Sequence, residues 1–140
     1  MLEELRSIEE NKTWTLTDLP AGHKAIGLKW VFKLKRDAND NVLKHKACLI
    51  AKGYVQRPGI DLDEVFASVA CLDSVRLLLA IAAKKRWEVH HMDVKTAFLN
   101  EELGEEVYVT QPPGFTNSTT SSKVLRLHKA LYGLRQAPRA

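Results

Sequence analysis

The sequence has few cysteines and no long apolar segment, and these two shortages exclude several classes of protein. Only Cys48 and Cys71 occur in 140 residues, so the chain holds neither a disulfide framework nor a four-cysteine zinc site. No apolar run approaches the roughly 20 residues that span a bilayer. The acidic start at Glu3 and Glu4 is unlike a signal peptide or a matrix-targeting presequence. We therefore expect an intracellular protein, not a membrane protein, whose cysteines are reduced, unpaired and inert.

Length and charge favour one soluble domain. A domain of 140 residues buries roughly two-thirds of the surface that its unfolded chain exposes. The net charge of +4 is mild, so the distribution of charge matters more than the total.

The periodicity of apolar residues predicts an α+β fold. Leu2, Leu5 and Ile8 recur at helical spacing and predict a helix over residues 2–11. A second helix is predicted from Asp73 or Ser74, either of which can cap it, to about Arg86. Its expected buried stripe consists of Val75, Leu78, Leu79 and Ala82. Strands are predicted over residues 14–19, 107–109 and 124–127, and residues 116–122 form a polar loop.

An antiparallel hairpin with a basic face is the clearest local prediction. Lys29–Lys35 alternates apolar and basic residues, which predicts a half-buried strand with Trp30 and Phe32 turned inward. Residues 36–41 have turn chemistry, and a strand returns from Val42 to Ala51 and as far as Tyr54. The basic face of the hairpin either contacts phosphate groups or consists of solvated lysines. The aromatic residues of the hairpin suit a core position better than a base-stacking role.

A carboxylate at the end of an apolar stretch is the main candidate for chemistry. The segment before Asp93 predicts a short buried strand, and residues 95–100 predict a turn into a helix. Such an Asp can hold a divalent metal, although a turn or N-cap role is the commoner one. A transition-metal site at His90, His91 and Asp93 is a weaker alternative. For Asp61, Asp63 and Glu64, a solvated loop face is favoured over a carboxylate cluster.

Several ordered blocks of the sequence resemble copia-type retrotransposon reverse transcriptases. They cover nearly the whole chain. The blocks are residues 14–20, Lys29-Trp30-Val31-Phe32-Lys33, Ala51-Lys52-Gly53-Tyr54, Gly59-Ile60-Asp61, Met92-Asp93-Val94-Lys95-Thr96-Ala97-Phe98-Leu99, Gln111-Pro112-Pro113-Gly114-Phe115 and Leu131-Tyr132-Gly133-Leu134-Arg135-Gln136-Ala137-Pro138-Arg139.

The resemblance implies a right-hand polymerase domain, of which this chain would be an N-terminal fragment. Residues 1–140 would form one partial domain, with fingers over about 12–90, the hairpin at 29–54 and the start of the palm over about 88–140. The implied partners are an RNA or DNA template-primer, deoxynucleotides and the remainder of the polymerase domain. The family's chemistry is nucleotidyl transfer with two magnesium ions.

The resemblance also implies roles for individual residues. Asp93 would bind Mg²⁺ through its side chain and Val94 through its backbone carbonyl. Phe98, with Ala97 beside it, would lie under the nucleotide sugar and exclude a ribose 2′-hydroxyl. Lys44 and Lys46 would contact the triphosphate. Gly133, Gln136 and Pro138 would belong to the template or palm motif, in which Gly133 approaches the template and the nucleotide closely.

Departures from the family pattern predict an incomplete enzyme. The chain contains no adjacent Asp-Asp pair, which supplies the family's remaining metal ligands. Cys48 and Cys71 stand where the family commonly has basic residues, and Ser68 where it commonly has Pro. Three interpretations remain open: an inactive polymerase fragment, a non-catalytic nucleic-acid-binding module, and a decayed transposon relic without selected function. In a domain cut in this way, the Asp93 strand would be uncovered and the hairpin better protected than residues 116–140.

Overall fold

A computed structural model describes residues 1–62, 64–92, 94, 96–116 and 118–140, and it has the predicted α+β composition. Two α-helices, five strands and three short 3₁₀ turns occur in these residues. In chain order they are α1 (Leu2–Glu10), β1 (Trp14–Thr17), β2 (Leu28–Arg36), β3 (Val42–Ala51), a 3₁₀ turn (Gly53–Val55), α2 (Leu72–Lys85), a 3₁₀ turn (Ala97–Asn100), β4 (Glu102–Val109), a 3₁₀ turn (Ser118–Thr120) and β5 (Val124–Lys129).

A three-stranded antiparallel sheet forms the centre of the fold. Its strand order is β1-β5-β4, so β5 lies in the middle. Ile26 extends the β4 edge, because its amide donates to the Tyr108 carbonyl (2.8 Å) and its own carbonyl accepts from the Thr110 amide (2.9 Å). The core contains residues from α1, from the sheet, from the paired strands β2 and β3, and from the segment that follows β5. Its fully buried side chains include Ile8, Leu49, Val107, Val109 and Leu131.

The hairpin prediction is confirmed, because β2 and β3 pair antiparallel as a two-stranded ribbon. Its turn is closed by the Asp37 carboxylate, which accepts hydrogen bonds from the backbone amides of Asn39 (2.8 Å) and Asn41 (2.9 Å). At the other end, the Trp30 indole donates to the Pro113 carbonyl (3.0 Å) and attaches the ribbon to residues 111–115, which follow β4. The returning strand ends at Ala51, and Gly53–Val55 is a 3₁₀ turn rather than strand.

The expected inward position of Phe32 is wrong. Trp30 is half-buried, whereas Phe32 is 66% exposed. The ribbon extends beyond the core, so the alternation of side chains continues where none of the described elements covers it. In the outer ribbon, the part farther from the core than Trp30 and Leu49, one face therefore exposes Phe32 and Leu34.

Residues 64–92 lie almost entirely at the surface, which overturns two expectations. The α2 helix forms as predicted, but its N-cap is Cys71, and Val75, Leu78 and Leu79 are exposed while Ala82 is buried. The strand expected before Asp93 is absent from the described residues 89–92 and 94, and Met92 is 84% exposed. Apolar side chains favour burial, but no other described element packs against the exposed apolar residues of α2 or against Met92. Asp93 itself lies outside the described residues.

The segment after β5 belongs to the core. Leu131, Leu134 and Ala137 are buried, and the Ala130 amide donates to the Glu101 carbonyl (3.0 Å). Whether the hairpin is better protected than residues 116–140 stays a prediction for hydrogen exchange. Within the described part of the chain, no helix is long and apolar enough to cross a membrane.

Candidate functional site

The loop after β5 packs directly against the end of the ribbon. The Ala51 amide donates to the Tyr132 carbonyl (2.7 Å), and Gly133 has a φ of +91°. A Cβ on Gly133 would overlap the Ala51 carbonyl oxygen, and a Cβ on Gly53 would overlap the Gly133 carbonyl oxygen. Glycine is therefore required here by contacts within the chain. The proposed approach of Gly133 to template and nucleotide stays a prediction.

A buried amide network holds the same loop in place. The Gln56 side chain donates to Oε1 of Gln136 (2.9 Å) and accepts from the Arg135 amide (2.9 Å). Nε2 of Gln136 donates to the Asp61 carbonyl (3.2 Å). Gln136 is 2% exposed, so its polar atoms depend on these partners. The sequence indicated Gln136, but Gln56 carried no recognisable signal.

Asp61 belongs to this network rather than to a solvated loop face. It is 5% exposed, and its carboxylate accepts a hydrogen bond from the Arg57 amide (2.8 Å). The expectation of a solvated Asp61 is wrong because this short loop folds back on itself. Glu64 is exposed and pairs with Arg139 (3.0 Å), and Asp63 lies outside the described residues.

Phe98 and Tyr132 form an edge-to-face aromatic pair beside this loop. Their ring centroids are 4.7 Å apart with an interplanar angle of 77°. Such a geometry places the positive edge of one ring against the negative face of the other. Phe98 is half-buried against the core, so its ring is held in place. Tyr132 was part of a recognised sequence block but had no predicted role.

Lys44 and Lys46 lie on one face of the ribbon, as predicted. The register places Lys33 directly opposite Lys46 and Lys35 directly opposite Lys44, so these four lysines lie together on this face, and Lys29 lies farther along it. Like charges directly opposite each other destabilise a strand pair. The same cluster of positive charge attracts anions. Lys46 lies five residues from Ala51, about 17 Å along an extended strand. The lysine face and the Gly133 loop therefore occupy different positions along β3.

One acidic side chain contacts the lysine face. Glu3 of α1 pairs with Nζ of Lys44 at 2.9 Å. The hydrogen bond and the charge of Lys44 hold the pKa of Glu3 below its ordinary value. Both side chains are exposed, so this pair is readily exchanged for another anion.

Three further predicted site residues are solvent-accessible. Val94, Ala97 and Pro138 are exposed, while Asp93 and Lys95 lie outside the described residues. Magnesium binds several oxygen ligands, and no group of three His, Cys, Asp or Glu residues occurs in the described ranges. The alternative site at His90, His91 and Asp93 stays a prediction, because Asp93 lies outside the described residues. Any metal assignment therefore rests on Asp93.

Comparison with known proteins decides the family. A family model described as reverse transcriptase (RNA-dependent DNA polymerase) matches residues 11–140. The chain belongs to the reverse transcriptase family. This finding confirms the resemblance inferred from the motif blocks.

Individual relatives of this reverse transcriptase segment are plant transposon proteins. The chain is 46% identical over 139 residues, 99% of its length, to the Retrovirus-related Pol polyprotein from transposon TNT 1-94 of Nicotiana tabacum. It is 42% identical over 141 residues, 100% of its length, to the corresponding polyprotein from transposon RE1 of Arabidopsis thaliana. The chain spans 10% of the length of each of these relatives.

A third relative is much shorter. An uncharacterised mitochondrial protein of Arabidopsis thaliana is 38% identical over 82 residues, which are 59% of this chain and 48% of that protein. No solved structure matches the chain.

Proposed function

We propose that the chain supplies the nucleotide-selecting and template-contacting part of a retrotransposon RNA-directed DNA polymerase, and that it is inactive alone. The match to the reverse transcriptase family over residues 11–140 carries this proposal. Residues about 12–90 would act as fingers and residues about 88–140 as the start of the palm.

Phe98 is the proposed determinant of sugar selection. Its contact with Tyr132 supports this role, because a ring that cannot rotate away excludes an added hydroxyl more strictly than a mobile one. The Gly133 loop and the Gln56–Gln136 network hold Tyr132 in turn. In this proposal, Ala97 lines the same nucleotide position, and Gln136 and Pro138 support the template strand.

Asp93 is the proposed metal ligand, with the Val94 carbonyl as a second oxygen. Two magnesium ions would activate the primer hydroxyl and stabilise the leaving pyrophosphate in the intact family. One carboxylate is too few for two such ions, and the 140 residues contain no adjacent Asp-Asp pair. The chain would therefore need carboxylates from elsewhere in the polymerase domain.

Primer extension tests the proposed inactivity. The purified chain is incubated with a heteropolymer RNA template, a DNA primer, deoxynucleotides and either Mg²⁺ or Mn²⁺. We expect no product above background. Reproducible extension that disappears in Asp93→Asn would contradict the proposal and would show that a partner completes the site.

Nucleic-acid binding without catalysis is the second candidate function, and the four-lysine face favours it. Binding would be strongly salt-dependent, because each phosphate contact on a single strand contributes about 0.7 to the slope of log K against log salt. Lys33→Ala with Lys46→Ala should reduce that slope. Lys84→Ala with Lys85→Ala, at the exposed end of α2, is the matched control. Salt-independent or absent binding would instead favour the relic interpretation.

A further inference from the structure

A carboxylate from outside the ribbon already pairs with one cation of the lysine face. Oε1 of Glu3, in the first turn of α1, lies 2.9 Å from Nζ of Lys44 on β3. The two residues are 41 positions apart in the sequence, so tertiary structure brings them together. Lys33, Lys35 and Lys46 form no ion pair with another described residue. Lys44 therefore differs from the other three lysines in having an anionic partner within the chain.

The core holds the backbone of this acid in place. Leu5 and Ile8 are the buried residues of α1, and both belong to the same core cluster as Leu49 of β3. The Glu3 side chain itself is 80% exposed, so its carboxylate can leave Lys44 while its backbone stays. A group tethered in this way meets its partner at an effective concentration that is set by the tether rather than by the solution.

We propose that Glu3 is a built-in competitor for the phosphate groups that the lysine face binds. It pairs with Lys44 in the free chain and has to leave before Lys44 contacts a phosphate, so α1 lowers the affinity of the face for nucleic acid. This inference rests on the proposed nucleic-acid binding and adds a regulation of the same face. Exposed ion pairs are weak, so Glu3 lowers the affinity without closing the face.

The charge of the ribbon explains why a polyanion displaces Glu3. The two strands contain six lysine or arginine residues and neither Asp nor Glu. A nucleic acid places phosphates against several of these cations at once and releases counterions, whereas Glu3 contributes one carboxylate. The hydrogen bond and then the charge of Lys44 lower the pKa of Glu3 from its ordinary value of 4.5, so the competing group is ionised at neutral pH.

A double-mutant cycle measured by fluorescence anisotropy tests the proposal. The probe is a labelled oligouridine, and its dissociation constant is measured at low and at moderate salt. Glu3→Gln should tighten binding by about 1.4- to 5-fold at low salt, the range that an exposed ion pair predicts. In the Lys44→Ala background the same change should give a smaller gain, because the acid then has no lysine to compete for. A gain of equal size in both backgrounds would show a general charge effect and would overturn the proposal.

Glu10→Gln is the matched control. Glu10 is exposed at the last position of the same helix and forms no ion pair with a described residue. This variant removes the same charge from the same helix and should leave the affinity close to that of the parent chain. Equal gains in Glu3→Gln and Glu10→Gln would also contradict a specific competition at Lys44.

A measurement on the parent chain avoids any effect of a substitution on folding. The pKa of Glu3 is read from its side-chain carboxyl carbon by nuclear magnetic resonance, with and without saturating oligouridine. Since Lys44 lowers this pKa, transfer of Lys44 to a phosphate should raise the pKa of Glu3. The amino terminus, which lowers it further, is present in both samples. A pKa that stays lowered with the probe bound would show that Glu3 keeps Lys44, which the proposal forbids.

The results separate this inference from the proposed function. If the parent chain does not bind the oligouridine in a salt-dependent way, the proposed nucleic-acid binding fails and the competition fails with it. If the parent chain binds but Glu3→Gln binds no more tightly, only the competition is overturned, and the lysine face remains a nucleic-acid-binding surface.

Discussion

The carbonyl of Gly133 occupies the position at which a side chain on Gly53 would begin. Gly53 starts the 3₁₀ turn after the ribbon, and Gly133 lies in the loop after β5. The two backbones therefore meet without an intervening side chain. This contact joins the base of the ribbon to the loop that carries Tyr132.

Gly133→Ala should destabilise the fold more than an ordinary glycine substitution. The left-handed φ costs about 1–2 kcal/mol for a residue with a Cβ, and overpacking against Ala51 adds about 1–3 kcal/mol. Denaturant unfolding measures the sum. Gly22→Ala is the matched control, because Gly22 has a similar φ of +87° but no atom within 4 Å of its Cβ position. Equal losses in the two variants would contradict the close approach.

Gln56 and Gln136 should contribute to stability as a coupled pair. Each change to Ala leaves buried polar partners unsatisfied and should cost about 1–3 kcal/mol. The double variant should lose less than the sum, with a coupling energy of about 0.5–3 kcal/mol. Gln56→Ala combined with Gln111→Ala should be additive, because Gln111 bonds instead to the Thr120 and Lys123 carbonyls. Additive losses for Gln56 and Gln136 would show that the amide network is not cooperative.

The ribbon turn should weaken in acid. Hydrogen bonds from Asn41 and Asn39 lower the pKa of Asp37 from its ordinary value of 3.8. A depressed folded-state pKa gives stability that is present above the unfolded value and is lost as the pH falls through the folded value. The difference in unfolding free energy between the parent chain and Asp37→Asn should therefore shrink below about pH 4. A difference that stays constant down to pH 2 would contradict this assignment.

Hydrogen exchange should divide the chain into protected and unprotected parts. Amides of β5 and of the inner ribbon should exchange slowly, because β5 is the central strand and Leu49 is fully buried. Amides of α2 should exchange quickly, since Ala82 is its one buried residue. Strong protection of α2 in a monomeric sample would show that the helix is covered. Strong protection that appears only on association would identify its exposed leucines as a contact surface.

The sequence predicted local elements better than it predicted which surfaces are covered. The alternation in Lys29–Lys35 and the helical spacing in α2 are properties of neighbouring residues, and both elements form. Whether a side chain is buried depends on which other elements of the chain pack against it. Phe32 and Leu78 have the periodicity of buried residues but remain exposed, because no described element lies above them.

In the candidate site too, the sequence predicted residues within local motifs but not their tertiary partners. Motif blocks indicated Phe98, Gly133 and Gln136 because each lies in a recognisable run of residues. Gln56 and Tyr132 contact these residues through tertiary structure, and a single sequence records no such pairing. The β4 strand begins at Glu102, earlier than predicted, because its acidic first half lacks the apolar alternation that indicates a strand.

The opposed lysines imply a trade-off between thermal stability and binding. Replacing Lys46 with Glu would turn a repulsion with Lys33 into an attraction and should raise the melting temperature of the free chain. The same change should remove much of the affinity for a polyanion. The unmodified ribbon, in contrast, should gain heat resistance only when a polyanion is added, since a ligand that binds the folded state stabilises it. A thermal-shift titration would thus report occupancy of the lysine face without any measurement of polymerase activity.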